Sequence, residues 1–265
     1  MKVHVIPLKK IAGVMLTALM IFSCPQGPSS FAADETTPYN WYFKKNDCHR
    51  QPPLDRCLEF IEEYDGYYLD DRKDEKVIYL TFDAGYENGN IARILDALKK
   101  HQAPAAFFVL DNLIKRNPEL VKRMVEEGHL VCNHTAKHPD MAAITDKSLF
   151  KKQLTALEKS YTEIIGGEVA RYYRPPQGRF SEQNLKYAKE LGYKTIFWSF
   201  AYADWDNNRQ PEPQKAKEQI LLHTHPGMVI LLHPTSKTNA DIMDELLSAW
   251  QEQGYRFGTL AELTA

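Results

Sequence analysis

The sequence predicts an α/β protein, on three observations. From Val77 onward, short apolar runs rich in β-branched and aromatic residues alternate with longer amphipathic segments, and strands alternating with helices at this spacing mean parallel pairing in a layer or a barrel. No proline- or glycine-rich linker and no internal repeat interrupts residues 77–265, so they read as one domain. Unusual polar residues also stand just after the apolar runs, and parallel α/β proteins build their sites at strand C-termini.

Residues 1–33 carry Lys2, Lys9 and Lys10 but no acid, and an uncharged apolar run from Ile11 to Cys24 leads to the small residues Ser30 and Ala32. This is the pattern of a secretory signal, too short for a full membrane span. Its removal takes away three lysines and moves the formal charge of the 265-residue chain from -2 to -5. Neither value suits a protein held to nucleic acid by a broad basic face. Residues 34–76 are polar, rich in Tyr and Pro, with a helical stretch near 58–64, and read as a wrapping arm. In that arm Cys48 and Cys57 bracket a short stretch that suits either a small disulfide loop or two thiols, whereas Cys132 sits in an apolar run as a small core residue.

Strands are expected at 77–82, 105–110, 130–133, 172–174, 195–200 and 228–232, where apolar, β-branched and aromatic residues concentrate. Helices are expected between them, at 90–101, 118–127, 146–165, 181–191, 213–222 and 239–253. The helix after residue 181 has the clearest ends, with Ser181, Glu182 and Asn184 as a cap and Gly192 as a stop.

Five of these strands lead into Asp83, His134, Arg174, Asp204 and His233. His134 and His138 enclose three residues, a spacing that brings two imidazoles to one side if the segment turns helically, and converging neutral imidazoles suit a divalent metal, zinc being the natural choice. With an Asp and another His nearby, hydrolysis of a carbonyl derivative follows: an activated water attacks, a carboxylate takes its proton, and an imidazolium protonates the leaving group. Arg174 can keep the carboxylate ionised and Asp204 can keep His233 protonated. Arg174-Pro175-Pro176-Gln177-Gly178 suits a rigid turn. Beside these groups Tyr86, Asn88 and Trp205 are candidates for substrate contact, while Trp198 reads as core.

These residues resemble the polysaccharide deacetylase family, carbohydrate esterase family 4 with the NodB homology domain. The likeness runs over about 77–263 through Thr81-Phe82-Asp83-Ala84-Gly85, His134-Thr135-Ala136-Lys137-His138, Arg174-Pro175-Pro176-Gln177-Gly178, Asp204-Trp205 and Leu231-Leu232-His233. It implies a distorted (β/α) barrel of the NodB type with an N-terminal extension. It also implies Asp83 as general base, His134 and His138 as metal ligands, Arg174 as partner of the base, and His233 as general acid partnered by Asp204. One departure is Ala84, where the family commonly has a second Asp that binds the metal; two imidazoles plus water, or recruitment of Asp83 or Glu87, would then hold the ion more loosely. Gly85-Tyr86-Glu87-Asn88-Gly89 and the arm's Asn40-Trp41-Tyr42-Phe43 are similar to the delta-lactam-biosynthetic de-N-acetylase subgroup of spore formers. That likeness implies work on the peptidoglycan glycan strand, in keeping with the export read from residues 1–33; a monomer is the expectation, with no sequence feature fixing the oligomeric state. The protein would remove the N-acetyl group of muramic acid after a muramoyl-L-alanine amidase has stripped the peptide, leading to the muramic δ-lactam of spore cortex. Glucosamine deacetylation, or a non-catalytic glycan binder, are the rival readings. A free muramic carboxylate would call for a cation, with Arg171, Arg179 and Lys137 as candidates.

Overall fold

A computed structural model describes residues 34–45 and 48–265, so the signal read at 1–33 lies outside the described residues. In chain order the elements are β1 (Tyr39–Asn40), a 3-10 helix at Arg56–Tyr64, β2 (Gly66–Tyr67), β3 (Val77–Ala84), α1 (Ile91–Lys100), β4 (Ala105–Val109), α2 (Asp111–Arg116), α3 (Pro118–Glu126), β5 (Leu130–Asn133) and α4 (Lys147–Ile164). Then come β6 (Ala170–Tyr173), β7 (Arg179–Phe180), α5 (Glu182–Glu190), β8 (Lys194–Ile196), β9 (Phe200–Ala201), α6 (Pro213–His223), β10 (Met228–Leu232), α7 (Lys237–Glu252), β11 (Arg256–Phe257) and α8 (Leu260–Leu263). The Ser181 cap forms as its sequence predicts: the hydroxyl accepts from Asn184 N, and the Asn184 side chain accepts in return from Ser181 N. None of the described helices is long and apolar enough to cross a membrane.

The main sheet runs β2-β8-β6-β5-β4-β3-β10-β9, with β11 pairing β3, and its pairs are parallel. Chain length alone forces this sheet to curl. Six inter-strand steps separate β8 from β9, about 29 Å if the sheet were flat. The four residues from Ile196 to Phe200 reach only about 14 Å. The single strand expected at 195–200 is therefore two, with residues 197–199 crossing from one side of a distorted barrel to the other.

Side chains alternate across this curled sheet. Ile78, Leu80, Phe82, Phe107, Val109, Val131, Ile230 and Leu232 pack outward against the helices in the larger core, while Val77, Tyr79, Ala106, Phe108, Cys132, Ile196 and Val229 fill the inside. The inner cluster also takes Leu260 and Leu263 of α8, so the C-terminus plugs the barrel. Sequence reading misses α8 and β11 because each is too short to show a period.

The arm is more than a wrapping. Its β2 extends the main sheet alongside β8, and β1 pairs antiparallel with β7. Trp41 is buried, stacks on Phe197 at 4.3 Å between ring centres, and donates its indole N–H to Trp198 O at 2.9 Å. Its backbone N–H reaches Gly178 O at 2.7 Å, tying the arm to the Arg-Pro-Pro-Gln-Gly turn. Cys57 is an exposed free thiol, so the small disulfide loop is not formed. Truncating Trp41 to Ala should cost about 3 kcal/mol of unfolding free energy, measured by chemical denaturation; a loss below about 1 kcal/mol would mean that the arm adds little to the fold.

Candidate active site

The inward alternation that fills the barrel also delivers the candidate residues. On β3 the inward column Val77, Tyr79, Thr81 ends at Asp83; on β10 Val229 and Leu231 lead to His233; on β5 Leu130 and Cys132 lead to His134. Each is the next inward position past the packed core, at the C-terminal end of its strand. They open into a cavity of about 510 Å³ lined in part by Asp83, Tyr86, His134, His138, Trp205 and His233.

Arg174 lies beneath this cavity, fully buried. Its Nη1 donates to Asp83 Oδ1 at 2.9 Å, Nη2 to Thr81 Oγ1 at 2.9 Å and Phe197 O at 3.2 Å, and Nε to Ile196 O at 2.9 Å. The guanidinium also sits 4.2 Å from the Phe108 ring centre. Burial disfavours the Asp83 charge, but the facing imidazoles and this guanidinium outweigh it and hold the carboxyl below its usual range. With Oδ1 occupied by Arg174, Oδ2 is the oxygen left to take a proton.

His134 and His138 do converge, with ring centres 5.0 Å apart, but not on a helix. Thr135 and His138 both adopt left-handed backbone, with φ of 74° and 56°. The turn is organised instead by side chains: Asn133 Oδ1 accepts from Thr135 N at 2.9 Å, and Thr135 Oγ1 accepts from His138 N at 3.0 Å. Asn133 is itself fixed by donating to Leu154 O at 3.1 Å. The convergence expected from helical spacing is thus produced by a different geometry.

The donor chemistry fits a divalent ion, loosely held. His134 Nδ1 must donate, because its partner at 2.9 Å is the Arg174 carbonyl, and this leaves the Nε2 lone pair facing Asp83 Oδ2 at 3.4 Å. Burial lowers the His134 pKa to about 4, so at neutral pH no proton separates these two acceptors. A cation beside them would relieve the repulsion; burial lowers the His138 pKa too, leaving that ring neutral and able to ligate. Among the described residues, no three or more His, Cys, Asp or Glu gather closely enough to hold an ion. Ala84 packs in the outer apolar layer, and Glu87 is engaged elsewhere, accepting from Gly89 N and from Ile91 N at the start of α1. Glu87 is therefore not available to such an ion, and Asp83, 3.4 Å from His134, completes no three-ligand set with the two imidazoles.

On the opposite wall, His233 Nδ1 and Asp204 Oδ1 are 2.8 Å apart, and His233 N donates to Asp204 Oδ2 at 2.8 Å. Burial works against the imidazolium, but the Asp204 carboxylate, backed by Asp83, lifts the His233 pKa above its ordinary value. Trp205 is 61% exposed and meets the His233 ring edge-on, with centres 6.4 Å apart, so it is a rim residue rather than core. Tyr86 is also exposed, and Asn207 donates to its hydroxyl. Asn88 does not line the cavity; its amide donates to Thr235 O at 2.8 Å and pins the loop after β3 to the loop after β10. Trp198, read from sequence as core, is half-buried and presents a surface to the cavity. Gln177 was missed: exposed, with φ of 59°, it lines the cavity where the sequence suggested only a turn. Gly178 beside it has φ of 65°, and a Cβ there would stand 2.8 Å from the Trp198 ring.

None of Arg171, Arg179 and Lys137 lines the cavity. Arg171 pairs with Glu158 at 2.6 Å and Arg179 with Asp140 at 2.8 Å. Cys132 is fully buried, with its thiol pKa raised by burial, the inert core residue that its sequence context predicts.

Comparison with known proteins gives this geometry a family. A family model described as Polysaccharide deacetylase matches residues 70–196. The peptidoglycan-N-acetylmuramic acid deacetylase PdaA of Bacillus subtilis is 40% identical over 238 residues, 89% of this chain and 90% of that protein. Its solved structure, a family 4 carbohydrate esterase, matches with a TM-score of 0.83 over 86% of this chain and 97% of that one. A peptidoglycan-N-acetylglucosamine deacetylase of Bacillus cereus is 30% identical over 78% of this chain and 74% of its own.

With two imidazoles as the main donors, zinc should bind reversibly and be removed by dialysis against a chelator. His134→Ala and His138→Ala should each weaken zinc binding by about tenfold or more in titration calorimetry. Unchanged zinc affinity in both variants would refute the ligand assignment.

Proposed function

The chain belongs to the polysaccharide deacetylase family, and we propose that it removes the N-acetyl group from muramic acid residues of peptidoglycan. What carries the substrate is the 40% identity to the muramic acid deacetylase of Bacillus subtilis. It spans more residues than the 77–265 domain holds and so reaches into the arm. The reading extends to export directed by residues 1–33, action on glycan strands stripped of peptide by an amidase, and a product on the way to the muramic δ-lactam of spore cortex.

In this reading Asp83 Oδ2 takes a proton from the attacking water while Arg174 holds Oδ1, which aims the carboxylate and keeps it ionised. The water oxygen bonds to the acetyl carbon, the C–N bond breaks, and His233 delivers a proton to the departing amine, giving acetate and a free amino sugar. Asp204 keeps the ring aligned through Nδ1, so that Nε2 is the donating atom. A divalent ion held by His134 and His138 would polarise the acetyl carbonyl and acidify the water. Trp205 and Tyr86 at the rim offer faces for sugar rings.

One observation favours a neutral substrate instead: no Lys or Arg is among the cavity-lining residues, so a lactyl carboxylate would meet no lining guanidinium or ammonium group. N-acetylglucosamine in peptidoglycan, the substrate named for the Bacillus cereus relative, is therefore the second reading. Acetate release from peptide-free glycan strands, compared with chito-oligosaccharides, decides between them; faster turnover of the chito-oligosaccharides would sink the muramic assignment.

Asp83→Asn and His233→Ala should each lower kcat by about 10² to 10⁴ with the fold retained; full activity in either would remove the role given to that residue. Because Asp204 raises the His233 pKa, the acid form persists above the ordinary value near pH ~6.5 and is lost only as pH climbs through the raised value. Asp204→Asn removes the main charge that opposes burial and leaves only the weaker pull of Asp83, so the alkaline limb of kcat/KM should move to lower pH. A limb that stays in place would show that another group titrates there.

A further inference from the structure

Asp204 and His233 rest on a buried group that neither the sequence motifs nor the proposed roles include. Asn239, in the first turn of α7, is fully buried, with its backbone N–H donating to Ser236 Oγ at 3.1 Å. Its side chain reaches the acid pair from behind, with Nδ2 2.6 Å from Asp204 Oδ2 and 3.0 Å from His233 O, and Oδ1 at the Tyr202 hydroxyl.

The orientation of this amide follows from its neighbours. A carboxylate oxygen and a carbonyl oxygen can only accept, so the end of Asn239 that faces them must be its NH2 group. Its oxygen then faces Tyr202, whose hydroxyl donates. Asp204 is 1% exposed and depends on protein donors alone: Oδ1 faces the His233 ring N–H, and Oδ2 takes His233 N and Asn239 Nδ2. We propose that Asn239 is a positioning residue that locks the Asp204 carboxylate in the rotation that aligns His233, and that the Tyr202 hydroxyl, donating to Oδ1, anchors the far end of the Asn239 amide. Without Asn239, Oδ2 keeps one donor and the His233 carbonyl loses one, so the carboxylate can turn and the ring loses its fixed partner. Without the Tyr202 hydroxyl, Oδ1 loses its donor and the amide is anchored at one end only, so it can twist away from Asp204 Oδ2.

The inference rests on His233 being the general acid, and a double-mutant cycle on acetate release with peptide-free glycan strands tests it. Asn239→Ala should lower kcat by roughly tenfold or more with little change in KM, while Tyr202→Phe should lower it severalfold in the wild-type background but hardly at all beside Asn239→Ala. Independent, additive losses would overturn the proposal, because Tyr202 would then act through substrate or packing rather than through Asn239.

A second readout needs no turnover. The downfield proton resonance of His233 Nδ1–H, identified by its loss in His233→Gln, should broaden or move upfield in Asn239→Ala at a temperature well below melting. An unchanged resonance would refute the positioning role even if the wild-type protein released no acetate from any substrate, an outcome that would instead sink the proposed function. Where Asn239→Ala fails to fold, Tyr202→Phe removes a single oxygen and should produce a smaller change of the same kind; no change there would equally refute it.

Discussion

One buried guanidinium holds the site together. Arg174 stands inside the barrel at zero exposure and ties β3 to the chain after β8 through Asp83, Thr81 and the carbonyls of Ile196 and Phe197. A buried cation costs several kcal/mol in lost hydration unless its partners are well placed. Here one carboxylate and three neutral acceptors answer the donors, and the Phe108 face lies beneath. The arrangement is reciprocal, since the same contact that makes the cation tolerable keeps Asp83 ionised at the cavity floor. Thr81 completes it by passing its own hydroxyl hydrogen to Ile230 O at 2.6 Å, which links the network to β10 and so to the strand that ends at His233.

Strand parity does the rest of the placement. Inward positions are apolar through the lower barrel, where Val77, Tyr79, Val229, Cys132 and Phe108 pack, and turn polar where the strands end and water enters. Asp83 and His233 are thus one step beyond a packed layer, rigid from below and reactive from above. The two walls differ for physical reasons: the His134 ring is buried with its Nδ1 on a carbonyl and is kept neutral, whereas His233 faces the Asp204 carboxylate, which favours its protonated form. One wall suits a metal and the other suits proton donation, although both use imidazole.

How much of this could be read from the sequence depended on the range of the interaction involved. Strands at 130–133 and 228–232, and the Ser181-capped helix, were legible because composition and capping are local. The residues at the strand ends, Asp83, His134, Arg174 and His233, were legible because each follows an apolar run. The split of 195–200 into β8 and β9 was not, because only the curl of the whole sheet imposes it. Asn239 was hidden for a similar reason: it lies 35 residues from Asp204 in a helix whose pattern is ordinary, and only the fold brings its amide to that carboxylate. Asn88 stands off the cavity lining because a polar residue in the loop after β3 suits loop pinning as well as substrate contact.

Backbone strain explains why the arm belongs with the site. Among the described residues, six other than glycine have positive φ, and Thr135, His138 and Gln177 are three of them. Such conformations cost roughly 1–3 kcal/mol each unless the surroundings enforce them. For Thr135 and His138 the enforcing contacts come from Asn133 and Thr135 in the same turn. For Gln177 the turn bond from Gly178 N to Pro175 O at 3.0 Å is joined by contacts from the arm: Gly178 O is held by Trp41 N, Trp198 O by the Trp41 indole, and Arg179 Nη1 donates to Asn40 Oδ1 at 2.7 Å. A barrel without residues 39–41 would keep Asp83 and His233 but lose the brace on the wall that carries Gln177 and Trp198. The arm therefore shapes the cavity without contributing a reactive group.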